Sequence, residues 1–236
     1  LCGQALTVLE ALDRFTEVAN GELLSPPIKI LSFPRLADTL LAPAIADTIR
    51  AAPHARFKVE LRSRRELGQG RSRDSHDAII MTMLSPAHEH PDKIGRVPLF
   101  AVMHRHHALS RRTRLKVADL DGHGVIQLEH GTLMRHIADE LFALEGIDPL
   151  TLVETSSSPH ALQLAASGVG IFIVDGLYPA PFSPSLSVIP LDCRNQSIDV
   201  VIKRPAGSNE LPALDLLIGN VSARMQAHLD RLPEAA

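Results

Sequence analysis

The chain has 236 residues, with 24 Lys plus Arg against 27 Asp plus Glu, 45% hydrophobic and 22% charged. That is the balance of a folded protein long enough for one large domain or two small ones. A formal net charge of −3 supplies no basic field, and seven Phe, one Tyr and no Trp leave few rings for base stacking, so these residues are not expected to hold nucleic acid by themselves. Cys2 and Cys193 stand far apart without a partner motif, which argues against a disulfide scaffold or a zinc site and fits a reducing cytoplasm. No apolar run approaches the roughly 18 residues of a membrane span. The start, Leu1-Cys2-Gly3-Gln4, has neither a Met nor a basic leader region, and the chain is read as a fragment of something longer.

Residues 5–19 place Leu6, Leu9, Leu12, Phe15 and Val18 at intervals of three among charged residues, an amphipathic helix ending at Asn20-Gly21. Its apolar stripe either packs on a partner chain or covers the domain's own core. Beyond Ser25-Pro26-Pro27, strand-like and helix-like segments alternate. Ile28 to Leu31 reads as a strand, Ala37 to Ala52 as a helix, Phe57 to Leu61 as a strand with Phe57, Val59 and Leu61 on one face, and Asp77 to Met83 as another strand. Such a series predicts a mostly parallel sheet with helices on its faces.

The series then restarts. Val97 to Met103 reads as one long apolar strand, Val117 to Leu120 as a helical turn and Val125 to Leu128 as a strand. Thr132 to Leu144 has helical spacing and stops at Gly146. Thr151 to Glu154 is a strand, Ser158 to Ser167 a helix closed by Gly168, and Gly170 to Val174 a strand. Leu186 to Leu191 and Ile198 to Lys203 are strands, and Leu211 to Leu232 a closing helix with Leu214, Leu217, Ile218, Val221 and Met225 on one side. Two consecutive α/β units followed by a strand and helix predict a return to the first unit, hence two lobes with a cleft between them.

Clefts in open α/β sheets lie at the carboxyl ends of strands, where helix N-termini offer free N–H donors to anions. Four such junctions carry small hydroxyl residues: Ser32-Phe33-Pro34, Ser63 after Leu61, Gly131-Thr132, and Thr155-Ser156-Ser157-Ser158 before Pro159. Each alone reads as ordinary capping, with Ser158 as the cap of its helix. Converging on one cleft, they read as a site for a small carboxylate ligand.

The order of these elements, with Leu40-Leu41-Ala42-Pro43, Ala52-Pro53, Asp77-Ala78-Ile79-Ile80, His107-Ala108-Leu109, Ala118-Asp119-Leu120, Gly131-Thr132-Leu133, Ser156 to Ala166 and Gly168-Val169-Gly170, resembles the effector-binding region of LysR-type transcriptional regulators. Within that family, residues 129–133, 156–162 and 168–175 are most similar to the octopine and nopaline regulators. The resemblance implies a two-lobed, periplasmic-binding-protein-like α/β fold. Lobe I would comprise 24–98 with 195–229 and lobe II 99–194, with 1–23 the end of a dimerisation linker. It also implies a small amino-acid-like or organic-acid effector, a homodimer or homotetramer, and DNA contact only through a winged helix-turn-helix preceding residue 1. No cofactor or membrane partner is implied.

The stretch from Arg62 to Arg73 departs from the family pattern by being short, polar and Arg-rich. Arg62, Arg64 or Arg65 would clamp a carboxylate in bidentate fashion, or else form a solvated face. Asp175, at the end of an apolar strand, would pair with a ligand ammonium or cap the turn before Gly176. The expected ligand contacts are therefore Ser32, Phe33, Pro34, Arg62, Ser63, Gly131, Thr132, Leu133, Ser156, Ser158 and Asp175.

His88, His90, His104, His106 and His107 are clustered, but no Cys, Asp or Glu completes a metal-binding spacing, and a solvated surface is expected. There is no nucleophile elbow, phosphate-binding glycine loop or His-Glu-x-x-His, so no catalytic residues are assigned. Two other readings stay open: a periplasmic-type solute-binding protein with the same fold, and a small-molecule enzyme using the cleft.

Overall fold

The computed structural model describes residues 26–62, 66, 76–84, 90–178, 183–193, 197–205 and 211–232. The opening helix and linker at 1–23, Ser63, Arg64, Arg65 and His88 lie outside the described residues. The first unit begins with strand β1 (Ile28–Ser32), whose Ile30 and Leu31 are buried. Pro34 then starts a helix, because a proline in the first turn gives up an N–H that has no intrahelical partner anyway. Helix α1 runs without interruption through Pro34–Leu36, a wider π-helical turn Ala37–Leu41, and Ala42–Ala51. The expected helix start at Ala37 is thus too late by one turn.

Strands β2 (Phe57–Leu61) and β3 (Ala78–Leu84) flank β1, both parallel to it. On β2 the apolar face is only partly covered: Val59 and Leu61 are 39% and 49% exposed.

The strand expected over Val97 to Met103 is two strands. β4 (Lys93–Val97) and β5 (Leu99–His104) belong to different sheets and are separated by Pro98, which has no N–H to donate to a ladder. The second unit continues through β6 (Leu115–Lys116), the 3₁₀ turn Val117–Leu120 and β7 (Val125–Leu128). Helix α2 (Leu133–Glu145) follows, closed by Gly146 at φ 66°, a left-handed cap that glycine adopts without Cβ strain. Then come β8 (Thr151–Thr155), α3 (Ser158–Ala166), β9 (Ile171–Asp175) and β10 (Leu186–Asp192). Strand β11 (Ile198–Lys203) and helix α4 (Pro212–Leu229) are the last of the described elements.

Two sheets result, ordered β2-β1-β3-β11-β4 and β6-β10-β5-β9-β7-β8. Both are mixed, correcting the expectation of a mostly parallel sheet. β11 runs antiparallel to β3 and β4, and β5 antiparallel to β9 and β10, because the strands at the two crossovers enter their sheets from the neighbouring lobe rather than from a covering helix. The chain passes from the five-stranded to the six-stranded sheet at Pro98 and returns between β10 and β11. Helix α4 closes on α1: Asn220 Nδ2 donates to Thr48 Oγ1 at 2.9 Å and Arg224 reaches Asp47 at 2.6 Å, while Leu214, Leu217, Val221 and Met225 fill the core beneath.

Candidate functional site

Three helix starts open onto one cavity of about 490 Å³. Its walls are Phe33, Pro34, Arg35 and Asp38 of α1 and its approach, Thr82 of β3, Leu128 to Met134 at the β7–α2 junction, and Ser156 to Pro159 before and in α3. One wall comes from the five-stranded sheet and the other from the six-stranded sheet. The first turn of any helix leaves N–H groups without intrahelical partners, so each start presents the positive end of a helix dipole. At α2 these are the Leu133 and Met134 amides. At α3, where Pro159 has no N–H, the Ser158 amide remains.

The six-stranded side is held in place by hydroxyl caps. Gly131 takes φ 88°, so the loop turns into α2 without steric cost. Thr132 caps α2: its Oγ1 accepts from the Arg135 amide at 3.2 Å and donates to the Glu129 carbonyl at 3.0 Å. Ser157, not Ser158 as expected, caps α3, with its Oγ accepting from the His160 amide at 3.3 Å. Ser158 is the first helical residue instead.

Beneath this loop lies Arg135, only 13% exposed. Its Nε donates to both Asp139 oxygens at 2.8 and 2.9 Å, and its Nη1 to Glu154 at 2.6 Å and to the Leu128 carbonyl at 3.2 Å. Nη2 lies 2.9 Å from His130 Nε2. One guanidinium therefore ties β7, β8, α2 and the cavity loop together.

The opposite wall has no such cap. Helix α1 starts at Phe33 without a side-chain hydrogen bond, and the next residue but one, Arg35, donates from Nη1 to Asp175 Oδ1 at 2.5 Å. Asp175 is fully buried, accepts from the Leu177 amide at 3.1 Å and, among the described residues, keeps Oδ2 without a hydrogen-bond partner. Arg35 also sits 5.3 Å from the Tyr178 ring centroid. Burial pushes the Tyr178 phenol up, and the neighbouring Arg35 and Ser158 hold part of that shift back. Thr39 Oγ1 donates to the Leu177 carbonyl at 2.8 Å, and the Gly176 amide to the Pro98 carbonyl at 3.0 Å, so residues 175–177 fasten the end of β9 to the other lobe.

A family model described as the LysR substrate binding domain matches residues 21–226. The chain belongs to this family. The DNA-binding transcriptional dual regulator OxyR of Escherichia coli is 25% identical over 247 residues, covering 100% of this chain and 79% of that protein. Among solved structures, full-length OxyR from Pseudomonas aeruginosa, a cysteine variant, superposes with a TM-score of 0.69 at 20% identity, covering 99% of this chain and 80% of that one. The effector-binding domain of QuiR in complex with shikimate gives 0.66 at 14% identity, covering 86% and 98%. The two-lobed α/β, periplasmic-binding-protein-like architecture is therefore that of a LysR substrate-binding domain, a component of transcription regulators.

In this LysR domain, Phe33, Pro34, Gly131, Thr132, Leu133, Ser156 and Ser158 come together on the cavity. Ser32 is buried just behind it, its hydroxyl 3.2 Å from the Phe33 carbonyl. Arg62 takes a carboxylate, but the chain's own: its Nε donates to Glu60 at 2.5 Å, while His76 Nε2 lies 2.8 Å from the other Glu60 oxygen. The Arg62 hydrogen bond, assisted by His76, holds Glu60 below the usual carboxylate range against the cost of burial. Asp175 lies off the cavity lining and is already engaged by Arg35. Arg35, Asp38, Thr82 and Arg135 were not anticipated; Arg35 is one residue beyond the Ser32-Phe33-Pro34 junction that pointed to this wall. Among the described residues no cluster of His, Cys, Asp or Glu is arranged to hold a metal, and no helix is long and apolar enough to cross a membrane.

Proposed function

We propose that this LysR domain is an effector sensor that binds a small amino-acid-like or organic-acid ligand between its lobes. Its ligand contacts would come from Phe33, Pro34, Gly131, Thr132, Leu133, Ser156 and Ser158. The observation that carries this reading is the convergence of the α1, α2 and α3 starts on one cavity, which matches a carboxylate with free N–H groups and dipole ends from both sides. Residues 24–98 and 195–229 would move as lobe I against 99–194 as lobe II, with 1–23 linking to a winged helix-turn-helix that binds DNA in a cytoplasmic homodimer or homotetramer. The ligand shifts the lobes only by its differential affinity for their two arrangements. The similarity of residues 129–133 and 156–162 to octopine and nopaline regulators favours an amino-acid-like effector. The same residues favour sensing over the solute-binding and enzymatic readings.

Titration calorimetry or thermal shift with a panel of amino acids, opines and simple carboxylates tests this. A compound that binds should lose on the order of tenfold affinity in Ser158→Ala or Thr132→Ala, and unchanged binding in both variants would rule out the site.

Other relatives 25% identical to this chain carry the name hydrogen peroxide-inducible genes activator, which raises a response to peroxide as a second reading, and Cys193 speaks to it. Its thiol is buried, and burial followed by the nearby Asp192 charge pushes it up to about 12. Peroxide reacts with thiolates, so Cys193 in a Cys2→Ser chain is expected to stay reduced in millimolar peroxide at pH 7.5 until the protein is unfolded. Intact mass reads this out directly.

A further inference from the structure

Arg35 is the sole arginine or lysine among the described residues that line the cavity. Its side chain is 24% exposed, whereas its partner Asp175 is fully buried. The contact uses one of the five guanidinium N–H donors, Nη1, and the Tyr178 hydroxyl is a second neighbour of the guanidinium, so the fork is engaged on its buried side without being consumed as it would be in a bidentate pair. The guanidinium therefore has a buried face on Asp175 and a second face toward the cavity. A ligand cannot draw Arg35 off Asp175 without leaving a carboxylate buried and uncompensated, which is among the costliest changes in a protein interior. The ion pair must stay closed while the outward N–H groups bind.

We propose that Arg35 is the anion receptor on the α1 wall, and that Asp175 is a positioning residue that orients it from beneath and cancels its charge. This rests on the effector reading above and narrows the ligand class. A receptor ion pair of zero net charge binds a carboxylate by directed hydrogen bonds from its guanidinium rather than by a bulk field. The carboxylate would then bridge Arg35 on one lobe and the Leu133 and Met134 amides on the other. Neutral analogues of the same shape would not bridge the lobes.

The test uses matched probes at constant ionic strength, benzoate against benzamide and L-alanine against L-alaninamide, titrated into the full chain. The wild-type chain should prefer each carboxylate over its amide by on the order of tenfold. The double variant Arg35→Gln/Asp175→Asn avoids stranding the buried carboxylate and should lose that preference. Asp175→Asn alone leaves Arg35 its acceptor while removing the cancelling charge, so carboxylate affinity should rise severalfold, a gain that mere structural damage would not produce. The proposal is overturned if the double variant still prefers carboxylates, or if Asp175→Asn binds them no tighter than wild type. Those results would leave the effector reading intact. If none of these probes nor any of the wider panel shifts any of the three proteins, the effector reading fails and the Arg35 assignment falls with it.

Discussion

The cavity's two walls are built differently. On the six-stranded side, α2 and α3 start on hydroxyl caps, Thr132 and Ser157, and the connecting loop is tied down by the five contacts of Arg135. On the five-stranded side, α1 starts at Phe33 with no side-chain cap and carries a charged side chain whose partner, Asp175, comes from the other lobe. The first wall is a set of fixed dipoles already in position. The second depends on an interlobe ion pair next to the crossover at Pro98, so its shape follows the relative position of the lobes. In the proposed sensor, the first wall would define the ligand and the second would report its arrival.

Removing the brace should break the contrast most strongly. Arg135→Ala strips support from Leu128, His130, Asp139 and Glu154 together. It should cost about 2 kcal/mol in chemical denaturation, less than the sum of its contacts because Asp139 and Glu154 are 42% and 44% exposed and screened. Urea midpoints with an unchanged slope are the measurement. Next come the caps: Thr132→Ala and Ser157→Ala should each cost about 1 kcal/mol, and a loss well below that in both would mean the hydroxyls are not what fixes this wall.

The smallest effect lies outside the cavity, at Glu60. Its carboxyl is held low by Arg62 and His76, so its contribution is present above the ordinary Glu range and is lost as pH falls through its lowered value. Glu60→Gln should flatten the acid limb of the stability profile by less than about 1 kcal/mol, as expected for a partly exposed pair. Thermal melts between pH 3 and pH 6 would show the flattening, which should be absent at pH 7 when normalised to each protein's own plateau.

The sequence carried the alternation of strands and helices and three of the four hydroxyl junctions that line or back the cavity, because those signals are local: apolar runs, Pro at helix starts, Gly at helix ends. It did not carry β4, whose Lys93, Gly95 and Arg96 form no apolar pattern and become a strand only by pairing with β11. Nor did it show that Val97 and Leu99 part company, since both are buried apolar residues and only the sheet order separates them. Arg35 and Asp175 lie 140 positions apart, and no spacing rule joins them. Arg135 looked like any polar residue of an amphipathic helix until its four partners gathered around it.

In the proposed sensor one ligand is gripped by both walls at once. Hydrogen–deuterium exchange of the full chain, with and without a compound from the panel that binds, tests this most directly. Simultaneous slowing at 33–39, at 128–134 and at 156–160 is expected. Slowing confined to the six-stranded side, or lying outside these three segments, would contradict it.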